Sequence, residues 1–194
     1  MANPRRIGAE TSKTRAHLLD CAERIMLDEG HAAVTYRALA RKAGVTAGLV
    51  QYYFPTLDDL FIAILHRHSD RNLERLIEAL RLRPDEPLRA VWEFNQDQTT
   101  AVLMTEFLAL ANHRKNIRSE VAMATNRSRQ QQRAVLTSRW PEYHLPDDEL
   151  TPEMAIFLLQ AIPKSILLED AVGVPLAHEK IVKLVDRYIA SIER

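Results

Sequence analysis

A chain of 194 residues, 46% hydrophobic and 27% charged, suffices for one sizeable core or for a small domain joined to a larger one. Its single cysteine, Cys21, excludes an internal disulfide framework, and no apolar run reaches the roughly 18 residues that a membrane-spanning helix needs. Residues 1 to 12 lack the apolar stretch of a signal peptide, so a cytoplasmic protein with no membrane partner is expected.

The formal net charge is zero, but the charge is unevenly placed. Residues 1 to 55 carry eight Lys/Arg against five acids, whereas residues 141 to 194 carry ten acids against five basic residues. A basic head keeps nucleic acid open as a partner despite the neutral sum. The run from Arg114 to Arg139, with seven basic residues against Glu120 alone, reads as a solvated helix face.

Residues 13 to 29 predict an amphipathic helix, because Leu18, Leu19, Ala22, Ile25 and Met26 share one face at 3.6 residues per turn. Gly30 is placed to end it in the left-handed conformation. Thr35 offers an N-cap to a second helix, Tyr36 to Ala43, with Leu39, Ala40 and Ala43 inward. Gly44 and Val45 break that helix, and Thr46 caps a third, Ala47 to Tyr53. Phe54-Pro55 stops the third helix, since proline disfavours helical geometry in the residue before it.

Thr56-Leu57-Asp58-Asp59 restarts the chain as a capping box, and apolar positions from Leu60 to Leu80 carry a fourth helix to about Leu82. Beyond Pro84 and Pro87 only helices are expected, over about 88–97, 99–113, 114–139, 152–172 and 178–193. Residues 146 to 149 read as a loop, Thr151-Pro152-Glu153 as a strong helix start, and Pro163 as a kink. No stretch alternates with period two, so the fold class is all-α.

The most informative motif is Tyr36 to Val50. A helix-turn-helix needs a small residue where its helices cross (Ala40), a glycine in the turn (Gly44), and an apolar residue beneath it (Val45). The second helix must also present an inner apolar face, which Leu49 and Val50 supply. Its outward face would show Thr46, Ala47, Gly48, Gln51, Tyr52 and Tyr53, with no acid among them, as a surface meant for phosphates requires. An ordinary pair of small packed helices is the competing reading of the same spacing.

The stretch Val34 to Thr56, with the amphipathic helix before it, resembles the DNA-binding domain of the TetR/AcrR family of bacterial regulators. The resemblance implies a three-helix DNA-binding domain, residues 1–55, joined by helix four to a helical ligand-sensing and dimerisation domain, residues 56–194. It implies that Thr35, Tyr36 and Arg37 bind phosphates, that Thr46, Ala47 and Gly48 lie nearest base edges, and that Tyr52 and Tyr53 hold the backbone. Gln51 stands where the family often has tyrosine, and a glutamine can pair with adenine. Leu57 departs from the pattern, which usually has a phosphate-binding lysine there.

In the remaining helices, Trp92, Phe94, Met104, Phe107 and Leu108, with His113 as a polar contact, are expected to line a mainly apolar chamber for a small-molecule effector. Plain core packing, with His113 closing its helix, is the alternative. Phe157, Leu158, Ile181, Leu184, Val185 and Tyr188 form apolar stripes that suit a homodimer interface, core packing again being the alternative. No metal, cofactor or catalytic site is expected: His66 and His68 face different ways, Cys21 is read as lacking a histidine at helical spacing, and no phosphate loop or nucleophile motif occurs. The expected function is a ligand-released repressor that binds a palindromic duplex operator as a homodimer. The alternatives are a helical protein-interaction module and a sequence-tolerant architectural DNA binder.

Overall fold

The computed structural model describes residues 13–143, 145 and 149–193. The arm before Lys13 and most of the expected loop at 146–149 lie outside them. Among the described residues all regular structure is helical: α1 Lys13–Glu29, α2 Tyr36–Ala43, α3 Ala47–Tyr53, α4 Leu57–Leu82, α5 Pro87–Asn95, α6 Gln98–His113, α7 Lys115–Arg139, α8 Pro152–Ala171 and α9 His178–Ile192. Two 3-10 turns, His31–Ala33 and Trp140–Glu142, complete the set.

The local signals act as their chemistry dictates. The hydroxyls of Thr35, Thr46 and Thr151 accept from the N–H groups of Ala38, Leu49 and Met154, satisfying first-turn donors that would otherwise lack partners. The Thr56 hydroxyl accepts from Asp59 N–H at 3.1 Å while the Asp59 carboxylate accepts from Thr56 N–H at 2.9 Å, a reciprocal capping box. Helix α8 continues through Pro163. Gly30 differs from expectation: its φ of 80° is positive, but ψ of 166° takes it out of the left-handed helical well. The chain therefore passes directly into the first 3-10 turn instead of closing a left-handed cap.

Two compact units arise. The first comprises Met1–Ser69 and Val102–Ala124. Its core joins Leu18, Ala22 and Ile25 of α1 to Leu39 of α2, Val50 of α3, Phe61 and Ile64 of α4, Leu103 and Phe107 of α6, and Ile117 of α7. Full burial of such a side chain contributes about 1.5–3 kcal/mol. On α3 the inner stripe is Ala47, Val50, Tyr53 and the following Phe54, whereas Leu49, expected inward, is only half-buried. The spacing 47, 50, 54 is one face at 3.6 residues per turn.

The second unit comprises Asp70–Ala101 and Thr125–Arg194. Leu76 and Leu80 of α4, Val91 and Trp92 of α5, Leu136 of α7, Ile156 and Leu159 of α8, and Ile189 and Ile192 of α9 fill its core. One end is closed by a carboxylate: Glu193 accepts from Leu88 N–H at 2.6 Å and Arg89 N–H at 3.0 Å, capping α5 from 105 positions away. Tyr143 donates to the same carboxylate at 2.9 Å. Burial pushes the Glu193 carboxyl up, against the lowering effect of these hydrogen bonds, and burial beside that carboxylate pushes the Tyr143 phenol well up. The cations of α7 do not merely face water: Arg127 pairs with Asp70, Arg133 with Glu153, and Arg129 donates to Gln160.

Candidate nucleic-acid interface

Helices α2 and α3 are held by a turn that only one residue type fits easily. Gly44 sits at φ 67°, ψ 32°, and its N–H and that of Val45 return to Ala40 O, closing α2. A β-carbon in this left-handed geometry costs about 1–2 kcal/mol. Val45 tucks partly against the core, and Thr46 then starts α3. At the far end of α3 the Tyr36 hydroxyl lies 3.1 Å from Phe54 O and 2.9 Å from Pro55 O. The Arg15 guanidinium sits 5.1 Å above the Phe54 ring, a cation–π contact from α1.

Tyr36, expected on a phosphate, is half-buried, and its hydroxyl is engaged in fixing the end of α3. Burial, then the nearby Asp59 carboxylate, pushes its phenol up, so it remains a neutral donor. Thr35, Arg37, Thr46, Gly48, Gln51 and Tyr52 are exposed, while Ala47 and Tyr53 lean partly on the core. The rings of Tyr52 and Tyr53 meet edge to face, with centroids 5.3 Å apart. Arg41 extends the exposed cationic edge of α2, and Lys42 lies 3.5 Å from Asp28.

Acids near this face are occupied. Asp58 pairs with Arg114, and Asp59 serves the capping box. Leu57, where a lysine was expected from the resemblance, packs against the core of the first unit. Gly48 stands apart from Gly44: a β-carbon placed on it meets nothing within 4 Å. The fold therefore does not require glycine there, and its bare backbone lies on the open face.

The residues expected to line an effector chamber fall in both units. Met104 and Leu108 pack on the first core and Phe107 lies within it, whereas His113 is exposed at the end of α6. Trp92 is fully covered in the second core, its indole N–H donating to Asp186 at 3.0 Å, and Phe94 is partly buried beside that core. In the second unit a groove of about 710 Å³ opens between α4 and α5, floored by Ala79, Leu82, Ala90 and Phe94 and edged by Arg71, Glu74, Arg75 and Glu93. Of the chamber residues only Phe94 lines it.

On α8 and α9, Phe157 (59% exposed), Leu158, Ile181, Leu184 (53%) and Tyr188 face outward, and Val185 is half-buried. Spacing along single helices did not reveal Glu106, whose carboxylate accepts from His31 N–H at 2.7 Å across 75 positions. It also led to an error at Cys21: His17 stands one turn earlier, with Nε2 3.8 Å from Sγ. Burial first, then the Asp20 carboxylate, pushes that thiol up, which disfavours the reactive thiolate. Among the described residues no group of three or more His, Cys, Asp or Glu is placed to hold a metal ion.

The profile of bacterial regulatory proteins of the tetR family matches residues 18–64, the span from α1 into α4. The transcriptional repressor BepR of Brucella suis is 28% identical over 140 residues, covering 68% of this chain and 65% of the relative. The transcriptional regulator BetI of Paraburkholderia xenovorans is 34% identical over 101 residues, covering 49% of this chain and 51% of the relative. The chain thus spans less than two thirds of the length of either relative. A regulator from Saccharomonospora viridis, solved in complex with choline, shares the fold at a TM-score of 0.76 and 15% identity, covering 95% of this chain and all of that one.

Proposed function

We propose that the chain, whose residues 18–64 match the tetR family of bacterial regulatory proteins, regulates transcription by binding a palindromic operator in duplex DNA as a homodimer, and that a small-molecule effector releases it. The observation that carries this reading is the exposed face of α2 and α3. From Thr35 to Pro55 the chain holds Arg37, Arg41 and Lys42 and not one Asp or Glu. Cations and neutral hydroxyl donors without carboxylates are what a polyanionic backbone attracts. The functional boundary is set after residue 55, with the sensing and dimerising part in 56–194.

Homodimerisation is part of this reading. A single seven-residue recognition helix reads too few bases for useful specificity, so two copies must present their α3 helices to major grooves about 34 Å apart. The outward Phe157, Leu158, Ile181, Leu184 and Tyr188 support α8 and α9 as the surface that a second copy covers. Helix α4 contributes Leu60 and Ile64 to the first core and Leu76 and Leu80 to the second, which suits it to transmit effector binding. The effector is taken to be largely apolar, and the groove that Phe94 lines in the second unit supports a binding position there. Repression is the direction expected, as in the name of the Brucella relative.

Selection of bound duplexes from a random pool tests this reading, with Gly48→Arg and Tyr53→Ala run in parallel. A palindromic site whose recovery drops with either substitution is expected, together with an affinity that falls steeply with salt as counterions are released. Recovery of nothing above background at moderate salt would overturn it in favour of a protein-interaction module. Binding without sequence preference would indicate an architectural role.

A further inference from the structure

We infer that Gln51 is the side chain through which α3 selects bases, specifying one adenine in each operator half-site. This rests on the DNA-binding reading above and adds the base that is read. The face of α3 leaves few alternatives. The Thr46 oxygen is engaged with Leu49 N–H at the helix start, and Tyr53 leans on the core. Tyr52 is exposed but stands edge-on to Tyr53. Gln51 is exposed, and its amide makes no hydrogen bond among the described residues.

Its surroundings let it reach. Residues three and four positions apart share a helix face, so Gly48 and Ala47 lie beside Gln51, one turn earlier. These are the two smallest side chains in α3, and open space surrounds the Gly48 Cα. The helix backbone can therefore approach a groove floor closely while Gln51 extends toward base edges.

The chemistry then selects the base. A carboxamide offers one acceptor and one donor side by side, matching the N6 amine and N7 of adenine in the major groove. Guanine presents two acceptors there and suits Arg or Lys, and cytosine presents a donor and suits a carboxylate. Residues 44 to 55 contain no Arg, Lys, Asp or Glu. Among base edges, adenine pairs best with this helix.

The test uses the full-length protein and the site recovered by selection, with each adenine replaced in turn by 7-deazaadenine, which lacks the N7 acceptor. Affinity should fall roughly ten- to a hundredfold at one symmetry-related position per half-site, and nowhere else as strongly. With Gln51→Ala that position should become insensitive to the replacement, and with Gln51→Arg the selected base there should change to guanine. Because Gln51 is exposed, helix content measured by circular dichroism should be unchanged in both variants. Wild type and Gln51→Ala selecting the same base with equal discrimination at every position would overturn the inference and leave the regulator reading intact. Failure of the wild type to select any site would overturn the regulator reading and this inference with it.

Discussion

Gly44 and Gly48 lie four residues apart in one motif and answer to different constraints. Gly44 is held at φ 67° by the turn, so Gly44→Ala should destabilise the protein by about 1–2 kcal/mol and lower its melting temperature. Gly48 lies within α3 at a position where a β-carbon meets nothing. Gly48→Ala should therefore raise stability by up to about 1 kcal/mol, because glycine is a poor helix former. If the helix backbone approaches DNA there, the same substitution should weaken operator binding. Thermal unfolding and operator affinity measured on both variants separate the two roles, and a Gly48→Ala protein of unchanged affinity would argue against close approach. The tight turn was legible in the sequence from Ala40, Gly44 and Val45. That Leu49 is half-buried while Tyr53 leans inward was not, because the exact rotation of a seven-residue helix is set by what packs against it.

Among the elements, the junction of α8 and α9 sets two carboxylates against one histidine. His178 Nε2 lies 2.7 Å from Glu169 and Nδ1 lies 2.9 Å from Asp170. The hydrogen bond with Glu169, then that with Asp170, raises its pKa above the ordinary 6.5, against a lowering by desolvation. Ala177 just before it takes φ 61°, a left-handed backbone that a β-carbon disfavours. Since the folded pKa is the higher one, the stabilisation is fully present below about pH 6.5 and is lost as pH rises through the raised folded value. The stability difference between wild type and His178→Gln should therefore be larger at pH 6 than at pH 9. A difference independent of pH, read from denaturant unfolding at both values, would rule out the ion pairs as its source. The capping threonines of α2, α3 and α8 were readable because each cap reaches only three residues along the chain. The Glu193 cap on α5 was not, since nothing local in Pro87-Leu88-Arg89 specifies a distant carboxylate.

At the scale of the whole molecule, the first unit is not completed by its N-terminal helices. Leu103, Phe107, Leu110 and Ala111 of α6 and Ile117 and Val121 of α7 lie in the same core as Leu18 and Val50. A fragment of residues 1–69 should lose cooperative unfolding, and Phe107→Ala in the full chain should cost about 3–5 kcal/mol through the cavity it leaves. A fragment melting as sharply as the full chain would show that α6 and α7 are dispensable to that core. On the other unit, Leu158→Arg combined with Leu184→Arg should weaken the proposed self-association by about a hundredfold, since these half-exposed side chains of two copies together give up about 3 kcal/mol of apolar burial. Sedimentation should then show monomers, and operator affinity should fall in parallel. An unaltered dimer would place the interface elsewhere.

The sequence by itself determined the all-helical class, the helix limits to within a residue or two, the threonine caps and the helix-turn-helix, because each is encoded within one or two turns of chain. Only the tertiary structure decided that Trp92 is covered core with its indole on Asp186, that Phe107 belongs with the N-terminal helices, and that Leu57 packs inward. A large apolar residue on a helix looks the same in sequence whether it lines a pocket, fills a core or awaits a partner. Which of these it does depends on the shape and volume of elements brought together from distant parts of the chain, and no periodicity records that.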